Sequence, residues 1–279
     1  MKKILIADAG ATKTDWALAE GGEIRVQVKT QGISPFHQDA ATIAAILREE
    51  LHPHLGGEAP DAVYFYGAGC TVDKCGLVAD LLRDLLGDIE VEVHSDLLGA
   101  ARALCGHEAG IACILGTGAN SCYYDGHVIL QNTPPLGYIL GDEGSGAVMG
   151  KTFVADVLKG LMPDEVVKDF FALAGTTYAE IIDRVYRQPL ANRYLAQYSR
   201  IVFQLRDRAA VHDFLIRHFL LFIRRNIVQY THPELSLHFV GGIAVAFGEE
   251  LREAAGLEGY RVGRIEQVPL PGLLLYHQA

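Results

Sequence analysis

The chain has 279 residues, 50% of them hydrophobic and 21% charged, and acidic residues outnumber basic ones 34 to 24 for a formal net charge of −10. That composition excludes collagenous and disordered chains and allows one large or two medium domains with sizeable cores. The negative balance argues against nucleic acid as a partner, and no apolar run reaches the roughly 18 residues of a membrane span. The first apolar run is broken by Asp8, so it is expected to be neither anchor nor signal peptide. The five cysteines (Cys70, Cys75, Cys105, Cys113, Cys122) are odd in number and scattered, as expected of reduced thiols in a cytoplasmic protein. Neither CxxC nor HxxxH occurs, which argues against a structural zinc site.

In chain order, residues 3–29 read as an apolar run (Ile4, Leu5, Ile6), a turn rich in Gly and Thr, and a second run (Trp16, Ala17, Leu18). Gly21-Gly22 and the alternating Ile24, Val26 and Val28 follow. A helix over about 39–52, a strand at 62–66, a helix at about 74–87, a strand at 91–94 and a helix from Asp96 come next. The pattern then recurs. An apolar run at 111–115 leads into Gly116-Thr117-Gly118-Ala119-Asn120, then Cys122 to Tyr124, Asp125-Gly126 and Val128-Ile129-Leu130. Gly-Gly and Asp-Gly between apolar runs are hairpin turns, because their central residues need positive φ. A helix-rich stretch over about 146–230 precedes a strand at 237–240, a helix at about 245–255, a strand at 261–265 and a short helix from about 270. Within that stretch Thr177 and Glu180 form a capping box, and Pro189 suits a first helical turn. The charge runs Arg206-Asp207-Arg208 and Arg224-Arg225 read as solvated helix faces.

The expected fold is therefore α/β, a duplicated βββαβαβ unit with a final helix in each half and a helical insertion in the second. The expected domains are an N-terminal lobe, 1–109, joined by the C-terminal helix 268–279, and a C-terminal lobe, 110–267, with the Gly-rich turns facing one another.

The chemistry-bearing residues cluster at these turns. A hairpin carrying Gly10, Thr12, Lys13 and Thr14 can aim backbone N–H groups and hydroxyls at one anion. Asp8 at the strand end would face the same point, and a carboxylate beside phosphate needs a cation such as hydrated Mg²⁺ between them; an ordinary tight hairpin remains the alternative. The turn is no Walker loop, since it leads into a strand. Gly116, Thr117 and Gly118 stand at the duplicated position, and two such hairpins are stronger evidence than one. Gly241 and Gly242 after the 237–240 strand would admit an adenine or ribose close to the backbone, or form a plain strand-to-helix turn. Asp96 reads as either a helix N-cap or a base at a strand end. The segment from Gly137 through Asp142 and Glu143 to Gly146 suits a polyhydroxylated ligand, or is a flexible connector.

Together the motifs resemble the sugar kinase, heat-shock chaperone ATPase and actin superfamily, whose fold is two ribonuclease H-like lobes. Within it the chain is similar to the N-acetylglucosamine kinase group of the BadF/BadG/BcrA/BcrD ATPases. The resemblance rests on Asp8-x-Gly10-x-Thr12-Lys13-Thr14, Ser95-Asp96 with Ala100-Ala101, and Leu115-Gly116-Thr117-Gly118-x-Asn120. Leu140-Gly141-Asp142-Glu143-Gly144-Ser145-Gly146, Val240-Gly241-Gly242 and the tail Pro271-Gly272-Leu273-Leu274-x-Tyr276-His277 complete it. It implies an ATP- and Mg²⁺-dependent kinase of N-acetylglucosamine, working as a cytoplasmic homodimer. It further implies Asp96 as general base, Thr117 as an ATP contact, Asp8 as organiser of Mg²⁺, Asn120 and Asp142 as sugar ligands, and Gly241 and Gly242 at the nucleotide. Gly137 falls in the sugar loop, and Ser34 stands where the group often carries Asn, which leaves the identity of the sugar open. Two alternatives on the same fold are an ATPase that activates an iron–sulfur dehydratase and a non-catalytic sugar or nucleotide sensor.

Overall fold

A computed structural model of the chain describes residues 2–10 and 12–278. In chain order, β1 (Lys3–Ala9), β2 (Lys13–Glu20) and β3 (Glu23–Gln31) lead to α1 (Ala40–Ile46), β4 (Ala62–Gly67), α2 (Cys75–Leu86), β5 (Glu90–Ser95) and α3 (Asp96–Cys105). Then come β6 (Gly110–Leu115), β7 (Ala119–Tyr124), β8 (Ile129–Asn132), α4 (Gly137–Leu140), α5 (Gly146–Leu158), α6 (Asp164–Ala174) and α7 (Tyr178–Tyr186). Last are α8 (Ala191–Gln197), α9 (Ser199–Gln204), α10 (Ala209–Phe222), β9 (Leu237–Val240), α11 (Gly242–Ala246), α12 (Gly248–Leu257), β10 (Val262–Glu266) and α13 (Leu270–Tyr276).

The chain divides into two compact units. The first runs from the start of the described chain to Glu108 and adds Asp125–Ile129 and the segment from Val268 onward; the second comprises Ala109–Tyr124 and Leu130–Gln267. The hairpin tip 125–129, expected with the second lobe, groups with the first, where Gly126 packs against the His107 carbonyl.

The first unit is layered by the alternation of β1. Leu5, Ala7 and Ala9 join one apolar cluster with α1 and α2, while Ile4 and Ile6 join another with Tyr64, Tyr66 and α13. Its five-stranded sheet runs β3-β2-β1-β4-β5. The β1–β2–β3 meander is antiparallel and β1, β4 and β5 are parallel. β4 is buried along its whole length, as a central parallel strand covered on both faces should be. Leu270, Leu273 and Leu274 hold α13 on the second face, each worth roughly 1.5–3 kcal/mol once removed from water.

The second unit repeats this plan in the order β10-β9-β6-β7-β8, with β6–β7 antiparallel and β6, β9 and β10 parallel. The insertion packs Met149, Phe153, Phe170, Phe214 and Phe219 into one continuous core with β6 and β9.

Three local expectations change. The 39–52 helix is α-helical only to Ile46 and then widens to a π-turn (Leu47–Leu51) and tightens to a 3₁₀ turn (His52–Leu55), where Pro53 has no N–H to donate. The 245–255 helix is two pieces broken at Phe247, whose φ of −118° and ψ of 34° are not helical. Pro189 precedes the cap of α8, which is Leu190 at φ 61°, instead of entering its first turn. The Thr177–Glu180 capping box forms as expected. Among the described residues no disulfide links the cysteines, and no helix is long and apolar enough to cross a membrane.

Candidate active site

Each unit carries its own set of site residues. In the first, antiparallel register puts Asp8 opposite Asp15 and Ala9 opposite Thr14, and the Gly10 N–H donates to the Lys13 carbonyl at 2.9 Å to close the turn. Asp96 lies just past β5. Ser95, not Asp96, caps α3, its hydroxyl accepting from the Leu98 N–H at 3.2 Å. Asp96 is thereby released from capping. One of its oxygens accepts from the Leu97 N–H at 2.9 Å, and burial pushes its pKa up against the pull of the Leu97 and Asp96 N–H groups. Asp8 is pushed up to about 7, by burial first and then by the charges of Asp15 and Asp96, with Lys13 opposing. The structure therefore gathers three carboxylates within electrostatic reach of one another.

The other early residues divide. Thr12 is exposed at the turn. The Lys13 ammonium donates to Asp15 at 2.5 Å. Thr14 is fully buried, and its hydroxyl accepts from the Ile33 N–H at 3.2 Å, so it props the next loop and does not line the turn. Ser34 on that loop is also buried, its N–H donating to the Gln38 side chain at 2.8 Å.

In the second unit the turn Gly116-Thr117-Gly118 is closed by the Gly116 N–H donating to the Gly118 carbonyl at 2.9 Å. The first amides of α5, Gly146 and Ala147, donate to the Gly116 and Thr117 carbonyls at 2.8 and 3.1 Å. The turn's acceptors are thus consumed, while the Thr117 side chain is exposed. Gly118 has a local reason to be glycine: a Cβ there would stand 3.2 Å from an Asp142 carboxylate oxygen. Asp142 sits at φ 56°, with its N–H donating to the Pro135 carbonyl at 2.7 Å, and burial pushes its pKa up. Gly137 opens α4 and accepts from the Gly141 N–H at 2.7 Å.

Asn120, on β7, is held from the end of β8. Its Oδ1 accepts from both the Ser121 N–H and the Asn132 side chain, each at 2.9 Å, which leaves its amide N–H groups to donate. Gly241 adopts φ +123° because a Cβ would come within 2.3 Å of the Leu115 carbonyl. That glycine locks the end of β9 against β6, whereas Gly242 meets only the Gln267 side chain. Beside α11 and the start of α12 lies a cavity of about 560 Å³ whose lining mixes Phe203, Val245 and Ile265 with the charged Arg206, Glu249, Glu250 and Arg252. A second cavity of about 620 Å³, lined by Arg184, Tyr194 and Tyr198 among others, shares no residue with these motifs.

Three residues escaped the sequence reading. Asn132 fixes the Asn120 amide. Arg225, expected on a solvated face, pairs with the buried Glu143 at 3.0 Å. His218 is buried among phenylalanines, hydrogen-bonds the Gly144 backbone and leaves its Nε2 without a partner among the described residues. Only the π-turn at Ile223–Ile227, a geometry common at functional sites, marks the region, and it is not visible in sequence.

No family model and no curated protein matches the chain. Among solved structures, the candidate N-acetylglucosamine kinase of Porphyromonas gingivalis is 46% identical, covers 99% of this chain and 98% of its own, and superposes with a TM-score of 0.94. The candidate N-acetylglucosamine kinase of Chromobacterium violaceum (18% identity, 99% of both chains, TM-score 0.76) and the ROK hexokinase of Thermus thermophilus (15%, 98% of both, 0.55) share the fold. The 46% identity over nearly the whole chain, together with the fold, places the chain in the class of ATP-dependent sugar kinases on an actin-like scaffold. Within it, the chain belongs to the N-acetylglucosamine kinase-like family of the BadF/BadG/BcrA/BcrD ATPases.

Proposed function

We propose that the protein transfers the γ-phosphoryl group of ATP to N-acetylglucosamine, giving N-acetylglucosamine 6-phosphate. The observation that carries this reading is Asp96, a carboxylate freed from capping by Ser95 and raised in basicity by burial, on the unit that also holds the Asp8 turn. The Asp96 oxygen not held by Leu97 takes the proton of the sugar hydroxyl as that oxygen bonds to phosphorus and the bond to the ADP oxygen breaks. Asn120 donates to the sugar and Asp142 accepts from its hydroxyls, the two polarities a polyhydroxylated amide needs. The Thr117 and Gly118 N–H groups and the Thr117 hydroxyl of the second turn receive phosphate oxygens, as does the Thr12 hydroxyl in the first; the Gly10 and Gly116 N–H groups are spent closing their turns. The cavity beside the C-terminal end of α11, at Val245 and Ala246, takes the base.

The donor set fits a magnesium ion. Asp8 is crowded by two like charges that a cation would relieve, yet the described residues contain no group of three side chains able to cage a metal alone. Asp8 would hold the ion together with phosphate oxygens and water, and the ion would neutralise charge on the transferring phosphoryl. A coupled assay of ADP release with N-acetylglucosamine, glucosamine, N-acetylmannosamine, N-acetylmuramic acid and glucose tests the reading. Preference for N-acetylglucosamine supports it, and ADP release independent of every sugar defeats it.

A further inference from the structure

Glu143 sits between Asp142 and Gly144 with only 10% of its side chain exposed, and Arg225 is its single ion-pair partner among the described residues. The guanidinium reaches it from the π-turn at Ile223–Ile227, which interrupts the helical path between α10 and the 3₁₀ turn at Val228–Tyr230. The same region grips the loop twice more. His218 hydrogen-bonds the Gly144 backbone, and the Phe222 ring lies where a Cβ on Gly144 would come within 2.9 Å. The Asn226 carbonyl, also in the π-turn, accepts from the Thr133 hydroxyl at 2.9 Å at the loop's other end.

We propose that Arg225 is a positioning residue for sugar binding: through Glu143 it holds the Asp142 carboxylate in place and offsets the negative charge beside it. The proposal rests on the reading of Asp142 as a sugar ligand. The groups that face Asp142 are the Ala119 N–H from β7, Lys151 from α5 and Glu143 itself, with His218 and Arg225 one step behind. His218 is neutral, its pKa lowered to about 4 by burial, and the Lys151 ammonium already donates to the Tyr138 carbonyl. Arg225 is therefore the cation fixed on Glu143. Without it, the negative charge of Glu143 beside Asp142 is no longer offset and favours the protonated form of Asp142.

Calorimetric binding of N-acetylglucosamine to the full chain as a function of pH tests this. In R225Q the acid limb of binding moves up by about one pH unit, so affinity falls about tenfold on the acid side of the limb and changes little well above it. R225K and the double variant E143Q/R225Q keep the limb near its wild-type position, and ATP affinity is unchanged in all of them. An unmoved limb in R225Q, or one equally displaced in E143Q/R225Q, overturns the proposal. Should R225Q fail to fold, E143Q carries the test alone, because the uncompensated Arg225 then moves the limb to lower pH; no movement overturns the proposal. D142N separates the two questions: if it leaves sugar binding and its acid limb intact, Asp142 is not a sugar ligand and the underlying reading fails.

Discussion

The two duplicated hairpins share antiparallel pairing and differ in charge. β1 and β2 place Asp8 opposite Asp15 two pairs from the start of the meander's first turn, while β6 and β7 place Ile114 opposite Asn120 at the corresponding step. In the first unit the pair is anionic and Asp8 is driven up to about 7. In the second it is apolar against an amide, and the nearest carboxylate, Asp142, arrives from a different loop and rests on Gly118. The last strand pairs enclose four residues in the first hairpin, between Ala9 and Thr14, and three in the second, between Leu115 and Ala119. On the proposed assignment, the side chains at one register position would suit one hairpin to a cation and the other to neutral hydroxyls.

The largest effect expected from breaking this division is at Asp96. D96N removes the proton acceptor and lowers turnover by ~10²–10⁴-fold while sugar binding persists, checked by coupled assay beside calorimetry. D8N makes the first hairpin resemble the second; turnover falls by ~10²–10³-fold and activity requires more magnesium, read from metal titrations at fixed ATP. N120D makes the opposite exchange, removing a donor and adding charge near Asp142. The KM for sugar rises about ten- to a hundredfold and the KM for ATP changes little, and equal changes in both would break the assignment of sugar work to the second unit.

The smallest effect concerns stability. His277 stacks on Tyr64 at 3.7 Å, and its Nε2 lies 2.8 Å from the Tyr66 hydroxyl; burial first, then Arg102, lower its pKa from 6.5 to about 4. The folded state thus resists a proton that the unfolded chain accepts. Stability is full above about 6.5 and is lost as pH falls toward 4. The group is partly exposed, so solvent screening reduces its share to about 1–2 kcal/mol. H277Q should flatten this part of a pH series of thermal melts, and an unchanged slope would assign it elsewhere.

The sheets and their duplication were legible in the sequence because they follow from local apolar periodicity and from Gly-Gly and Asp-Gly turns. The Asp8, Asp96 and Gly116-Thr117-Gly118 positions were visible for the same reason, being strand ends and tight turns. What stayed hidden depends on segments far apart in the chain. The close approach of Gly241 to the carbonyl of Leu115 on β6 could not be read from the local Gly-Gly pattern. Arg225 looked like a solvated charge because nothing local distinguishes an exposed arginine from one that reaches back over eighty residues to Glu143. The two readings of Asp96, cap or strand-end base, could not be separated in sequence, since Ser95 and Asp96 are both good caps and only the backbone at Ser95, φ −67° and ψ 153°, gives the cap to Ser95.

The return of α13 to the first unit has a consequence in time. During synthesis every strand of the first sheet has emerged long before the leucines that cover one of its faces. Until then Ile4, Ile6, Tyr64 and Tyr66 lack part of the apolar surface they pack against in the finished protein. β10, the last strand of the second sheet, ends at Glu266 and α13 begins at Leu270, so both units are completed almost together at the end of synthesis.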